Sequence, residues 1–396
     1  MPEDLEGPLA VLGGRPAFDV PRSTAALPTP DLEEFLRNSR TFFDIGRYTD
    51  SGPTVRRLEA ALAEFHQVEH VVAVSGGFWA VALTARLVAT SGRPEVVFPS
   101  LTYRRLADLV SWVPLIPRFC EVDAATLAMT VETVDAVMND NVGLILGVHP
   151  IVGCADSARL EAYADRVGVP IMFDSVESTY ESIGGRRVGG FGQAECFSLH
   201  ASKLVNGFEG GYVTTNDAQL AERLRRARGQ GFNNEGDLEE VGINATMPEV
   251  HAAASLACLA RVDDIVETNR ALYEAYEDAL SGVQGLRLLP FDIRFRPSYK
   301  VIVVEVTEVW PLSREETLAV LHAEGVLARP YYSPALHQKA TGYEMRFGDL
   351  SLTDRLSERF LLLACGERTT PDDARRVVSL LVSAADNAEQ VKKALA

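Results

Sequence analysis

The stretch CFSLHASKLVNGFEGGYVTTND, residues 196–217, decides how this chain is read. It sets one lysine, Lys203, between a Ser-His pair and a glycine doublet, with Glu209 the only other charge before Asp217. A lysine in a poorly solvated place loses proton affinity and becomes a free amine, hence a nucleophile. That is the chemistry of a Schiff-base lysine. The same residue also reads as an ordinary lysine whose stem packs while its head reaches water. The surrounding chain has to separate the two.

The bulk properties narrow the field. At 396 residues the chain is long enough for two domains or one large α/β unit with a satellite. Hydrophobic content of 47% and charged content of 23% are ordinary for a soluble globular protein. The 55 acidic against 38 basic side chains, a formal charge of -17, argue against a nucleic-acid or anionic-membrane partner. A local pocket can still be positive enough for a phosphorylated small ligand. Cys120, Cys154, Cys196, Cys258 and Cys365 lack metal-clamp spacing and read as reduced core residues of a cytoplasmic protein. No metal site is expected, since His149 and His337 have no partner at ligand spacing. The opening MPEDLEGPLAVLGGRPAFDV lacks a basic n-region with an apolar h-region, so no signal peptide is expected, and no apolar run is long enough for a membrane span.

Working outward from Lys203, residues 55–215 alternate short apolar runs with amphipathic stretches. The runs are HVVAVSGG, EVVFPS, GLILGVHP, VPIMFDS and GGYVTTN; between them lie VRRLEAALAEF, VETVDAVMND and ARLEAYADRVG. This pattern predicts a mostly parallel sheet with crossover helices. Ligands of such sheets gather at the carboxyl ends of the strands. The glycine and polar signals lie there: Ser75-Gly76-Gly77, Pro99-Ser100, His149-Pro150 and Asp174-Ser175. AQLAERLRRARGQG reads as a basic amphipathic helix whose arginines form a solvated face. Beyond a helix break near residues 261–265, YKVIVVEV, REETLAVLHAEGV and TPDDARRVVSLLVSAADNAEQVKKAL predict a smaller α+β unit. The division expected is 1–258, an N-terminal arm with a large cofactor-binding domain, and 259–396, a small C-terminal domain.

A Schiff-base lysine needs a carbonyl, and pyridoxal 5'-phosphate would need four supports. Its phosphate wants backbone N–H groups at a helix start and hydroxyls. Its pyridine nitrogen wants a carboxylate. Its ring wants a stacked face, and its aldehyde wants the lysine. Gly76, Gly77 and Phe78 open a helix after a strand. Asp174 ends the apolar run VPIMF, though it reads equally as a helix N-cap. Tyr103 follows the VVFPS strand and could stack, or could be a plain boundary tyrosine. Ser198 could add a hydroxyl to the phosphate.

At these residues the chain resembles the DegT/DnrJ/EryC1/StrS family of pyridoxal-phosphate-dependent sugar aminotransferases, of fold type I. FSLHASKLVNGFEGGYVTTND is similar to that family's Phe-Ser-Phe-His-Ala-Thr-Lys run followed by Glu-Gly-Gly. LGGRPAF, RYTDSGPTVRRLE, VVFPSLTY, PRFCEVDAATL, LILGVHP, IMFDSVES, GINATMPEVHAA, GVLARPYYSPALH and FGDLSLTDRLSERFLLLACG carry the likeness, in order, almost end to end. The resemblance implies a large domain with a mostly parallel central sheet flanked by helices, and a smaller C-terminal α+β domain. It implies that Lys203 bonds the cofactor and shuttles protons, that Asp174 pairs with the pyridine nitrogen, and that Tyr103 stacks on the ring. The amides of Gly77 and Phe78 and the hydroxyl of Ser198 would hold the phosphate. Asn244 would reach that phosphate from a neighbouring subunit, so a homodimer with shared sites is implied. Tyr48, Thr49, Arg329, Tyr332 and His337 fall in the regions that bind the substrate in nucleotide-sugar members. His200 reads either as a proton-transfer aid or as a residue that hydrogen-bonds within its loop.

The departures concern the surroundings of the cofactor. Phe78 replaces a threonine. Glu177 stands where glutamine or histidine contacts the cofactor's O3′; beside a phenolate it would be protonated, or turned away to a substrate amine. IVGCAD lacks the usual aromatic-glycine pair. Three functions follow: transfer of an amino group from glutamate or glutamine to a keto-sugar or cyclitol-like ketone; non-transaminating chemistry on an amino-acid-derived substrate, suggested by Phe78, Glu177 and Ile151; or a non-catalytic scaffold, against which Lys203 and Asp174 both speak.

Overall fold

The computed structural model describes residues 7–233, 235–339 and 341–396. Its central element is a seven-stranded sheet in the order His70–Val74, Gly211–Thr215, Glu195–Ser198, Ile171–Asp174, Val142–Val148, Glu95–Pro99 and Ile116–Cys120. Gly211–Thr215 runs antiparallel to both neighbours; the remaining pairs are parallel. Alternate residues divide between two cores, as a pleated strand requires. Ile145, Ile171 and Phe173 join one core with Leu58 and Leu62 of helix Pro53–His66 and Leu160 and Tyr163 of helix Ser157–Val167. Leu144, Leu146 and Met172 face the other, with Leu83 of helix Gly77–Val88 and Leu220 and Leu224 of helix Ala218–Arg228. Val142–Val148 is buried at every position, which is why it reads as an unbroken apolar run.

Two buried polar groups tie helix Pro53–His66 in place. Glu249 accepts the N–H groups of Thr54 (2.7 Å) and Val55 (3.3 Å), two donors that an α-helix leaves free at its start. At the other end His66 sits between the Val188 carbonyl (2.6 Å) and the Tyr212 hydroxyl (2.8 Å), and burial lowers its imidazole to about 3, so it folds as a neutral ring.

The C-terminal unit has a four-stranded antiparallel sheet ordered Leu286–Leu288, Ile302–Val306, Phe360–Leu363 and Arg329–Pro330. Helices Arg314–Ala323, Pro371–Asp386 and the end of Val262–Leu280 supply its core. The expected division at 258/259 is corrected in two respects. Helix Val262–Leu280 gives Val262, Ile265 and Val266 to the large core and Leu272, Tyr273 and Tyr276 to the small one, so the change occurs inside a helix. The N-terminal arm belongs to the small unit: Leu9 and Phe18 lie in its core, Arg22–Ser23 pairs parallel with Val326–Leu327, and Glu324 accepts the N–H groups of Ala10 and Ala17. A further cluster joins the units, setting Leu101, Val122 and Ile151 against Val301, Val303, Tyr331 and Phe360.

One arginine of the basic helix also departs from the reading as a solvated face. Arg228 is buried and pairs with Glu59 at 2.6 Å across the sheet edge. Among the described residues no helix is long and apolar enough to cross a membrane, and the five cysteines are buried and unpaired.

Candidate active site

The parallel strands deliver their carboxyl ends to one edge of the sheet. Val74, Pro99, Val148, Asp174 and Ser198 therefore open their following loops on the same side, where Gly211 begins its antiparallel return. The register places Asp174 opposite Val148 on one side and Cys196 on the other. The edge thus gathers the residues following His70–Val74, the loop with Tyr103, the 174–177 segment and the loop ending at Lys203.

Helix Gly77–Val88 starts in a cradle built by missing side chains. A Cβ on Gly77 would lie 2.7 Å from the Ser198 Cβ and 3.1 Å from its Oγ. One on Gly211 would lie 2.6 Å from the Gly77 nitrogen. Gly76 caps the helix with no side-chain acceptor, so its first N–H groups face outward beside the Ser198 hydroxyl. Backbone donors at a helix start with an adjacent hydroxyl suit a phosphate monoester. The residues present fit the phosphate of pyridoxal phosphate. Gly77→Ala should cost about 1–3 kcal/mol of stability through overpacking and weaken cofactor binding, read as a lower melting temperature and a raised cofactor Kd.

Lys203 and Asp174 come to the same place. Lys203 Nζ donates to Glu177 Oε1 at 2.7 Å, and Lys300 Nζ donates to Glu177 Oε2 at 2.6 Å. Burial opposes the carboxylate's charge, but the two ammoniums outweigh it and hold Glu177 well below the usual range. Within this chain Glu177 is ionised and faces two lysines, Lys203 and Lys300. Burial alone would lower Lys203; the charges of Glu177, Asp174 and Tyr103 more than offset it and leave the amine raised. Asp174 accepts the Val176 N–H at 3.3 Å. Among the described residues no lysine or arginine forms an ion pair with it, and burial pushes its carboxyl up to about 6. A carboxylate short of a cationic partner fits a protonated pyridine nitrogen, and Asp174 caps no α-helix here.

The other expected residues divide. Tyr103 and Tyr332 face the same charges, Tyr103 being felt at Lys203 and Tyr332 by Glu177 and Asp174. Phe78 packs edge-to-face on Trp79 at 5.3 Å. His200 bonds within its loop, its Nδ1 joined to Ser202 Oγ at 2.8 Å and its backbone N–H donated to Ser198 Oγ at 3.3 Å. His337 is tied to Ser100 Oγ (2.7 Å) and Asp354 (3.0 Å), a brace between the two units. Arg329 and Asn244 are exposed. Tyr48 and Thr49 do not reach Lys203 in this chain. They line a surface hollow of about 460 Å³ with Phe35, Phe43, Pro248 and Val250. His149 is buried with its Nδ1 accepting the Ala155 N–H at 3.1 Å, while its Nε2 has no partner. Lys300 was not singled out by sequence. Its only trace there is a lone lysine ahead of VIVVEV.

Comparison with known proteins gives a consistent picture. The DegT/DnrJ/EryC1/StrS aminotransferase family profile matches residues 31–382. GDP-perosamine synthase of Caulobacter vibrioides is 26% identical over 370 residues, covering 92% of this chain and 98% of the relative. GDP-perosamine synthase of Vibrio cholerae is 26% identical over 299 residues, covering 74% of this chain and 80% of the relative. The crystal structure of DesI in the presence of its TDP-sugar product superposes with a TM-score of 0.91 at 31% identity, covering 97% of this chain and 98% of that one.

Proposed function

This chain belongs to the DegT/DnrJ/EryC1/StrS aminotransferase family, whose members use pyridoxal phosphate, and from that premise we propose that it aminates the ketone of a nucleotide-linked keto-sugar. The observation that carries the reading is the meeting of Lys203, Asp174 and the Gly77–Ser198 cradle at one sheet edge. The sugar-nucleotide relatives support the acceptor class: two are named as GDP-perosamine synthases, and one was crystallised with its TDP-sugar product. The amino donor we assign is glutamate or glutamine.

When bound, the cofactor supplies a carbonyl that carries nitrogen between substrates and a ring that accepts electrons. The chain's own residues do the rest. The Gly77 and Phe78 amides and the Ser198 hydroxyl would hold the phosphate. Asp174 would keep a proton on the pyridine nitrogen. Tyr103 would stack on the ring. Lys203 would be the amine that bonds the cofactor and the acid-base group that moves protons beside it. Tyr332 walls the site with a hydroxyl that burial and the nearby Glu177 charge hold well above the usual range, so it stays a hydrogen-bond donor. Arg329 and His337 belong to the loops that would shape the substrate side.

The site is shared across a homodimer in this reading. Leu32, Leu36 and Phe43 recur along one helix at spacings of four and seven, and all are exposed together with Ile45, Tyr48 and Val250. An apolar face of this kind needs a cover, and a second copy would carry Tyr48, Thr49 and Asn244 to its partner's cleft. The cytoplasm suits a protein with five unpaired buried thiols.

Two half-reactions test the proposal. Glutamate or glutamine should convert the loaded enzyme's visible absorbance to that of the amine form of the cofactor. A nucleotide-4-keto-sugar should then restore it and yield an amino-sugar nucleotide by mass. Absence of any amine form with all common amino acids would overturn the proposal.

A further inference from the structure

Lys300 opens no motif, yet it is the most enclosed charge at the site. Its side chain is 3% exposed, and its Nζ donates to the Val176 carbonyl (3.3 Å) as well as to Glu177. One carboxylate therefore binds two ammoniums, one from the loop after Glu195–Ser198 and one from the C-terminal unit just ahead of Ile302–Val306.

The arrangement bears on how Lys203 is made reactive. Lys203 bonds an aldehyde only as the free amine: its lone pair forms the C–N bond, and the aldehyde oxygen departs as water with the two amine protons. A carboxylate at 2.7 Å works against this, because it favours the ammonium. A second ammonium on the same carboxylate works the other way. It repels the proton on Lys203 and takes up part of the carboxylate's charge. It also leaves Glu177 paired after Lys203 has turned to the cofactor, when an unpaired buried carboxylate would be costly.

Resting on the reading of Lys203 as the cofactor-linked lysine, we propose that Lys300 is a positioning residue that divides the charge of Glu177 between two amines, so that Lys203 can be released as a free amine. The pair Glu177–Lys300 then does with two opposite charges what a neutral glutamine does with none. The other groups around this pair are Asp174 and Tyr103 beside Lys203, Tyr331 and Tyr332 beside Glu177, and Glu181 and Cys365 beside Lys300. All remain in place in the variants below. Lys203 is raised even with Lys300 present; on this proposal, losing that positive neighbour would raise it further.

The test follows loading rather than turnover. Cofactor-free protein is mixed with pyridoxal phosphate, and growth of the lysine-bound absorbance is timed across pH. Lys300→Met should shift the rate profile to higher pH by about one unit, which is about tenfold slower loading at neutral pH. Glu177→Gln should shift it to lower pH, and Lys300→Arg should restore the wild-type midpoint. These opposite shifts are not expected of residues that only support the fold. Should Lys300→Met fold poorly, Glu177→Gln and Lys300→Arg still decide the matter through the same profile. Wild-type midpoints in Glu177→Gln and in folded Lys300→Met would overturn the proposal. A wild-type protein that never forms the lysine-bound absorbance would overturn the reading of Lys203 itself.

Discussion

Lys203→Ala removes amino transfer, with activity falling by at least the about 10²–10⁴-fold that a positioned acid-base group supplies. Two roles are lost together, the covalent tether and the proton carrier, so the effect exceeds that of any neighbour. The side chain is about one-fifth exposed and is held by one carboxylate that keeps a second partner. The variant should therefore fold. Its cradle for the phosphate is intact, so it should still bind pyridoxal phosphate reversibly, with the absorbance of the free aldehyde. Glu177 keeps Lys300 as a partner, which limits the cost of the deletion. Circular dichroism and a cofactor titration, run beside the half-reactions, separate loss of chemistry from loss of fold.

Asp174→Asn gives the second large effect, of a different kind. The amide cannot hold a proton on the pyridine nitrogen by charge, so the ring's capacity to accept electrons falls. Breaking a buried ion pair costs about 3–5 kcal/mol, equivalent to about 10²- to 5 × 10³-fold in rate. Unlike Lys203→Ala, this variant should keep the covalent bond to Lys203. The cofactor-free protein also tests the physical reason. Asp174 is raised to about 6 by burial, and among the described residues it has no ion-pair partner. A carboxylate in that state stabilises nothing until a cation arrives. Asp174→Asn should accordingly melt no lower than wild type without cofactor and lower than wild type with it. A cofactor-free variant that melts far lower would mean that Asp174 supports the fold rather than the ring.

Local rules singled out these two residues but left a bland reading beside each, and the ordered resemblance decided between them. Asp174 ends an apolar strand, and Lys203 lies in a small-residue loop beside glycines. The five apolar runs likewise mark five strands of the sheet. The two other strands carry charges that hide them. Ile116–Cys120 is an edge strand with Pro117 and Arg118 in it, and Arg118 is acceptable there because Glu95 on the neighbouring strand pairs with it. Glu195–Ser198 begins with a buried carboxyl that accepts N–H groups from Gly189 and Phe191, at 2.7 Å each. Arg118's partner lies 23 residues away, and the backbone donors to Glu195 leave no trace in residue type.

Partners distant in sequence account for the rest. Glu177 was read only beside a cofactor oxygen, because nothing local shows that Lys300, 123 residues away, shares its charge with Lys203. Arg228 looked like one arginine among several on a wet face until Glu59, 169 residues away, was placed against it. The N-terminal arm has little pattern of its own, and its place is fixed by Glu324 and the strand Val326–Leu327 of the small unit. Tyr48 and Thr49 show the same limit one level up. The resemblance sets them in a substrate loop, but a single chain leaves them on an apolar surface, and their part in a site rests on the proposed second subunit.

The most direct test of the account identifies the amine that carries the cofactor. Wild-type protein loaded with pyridoxal phosphate is reduced with borohydride, digested, and the modified peptide sequenced by mass. The prediction is a single adduct on Lys203, within FSLHASKLVNGFEGG, lost when the enzyme is first converted to the amine form by glutamate or glutamine. An adduct on Lys300, or none on either lysine, would contradict it.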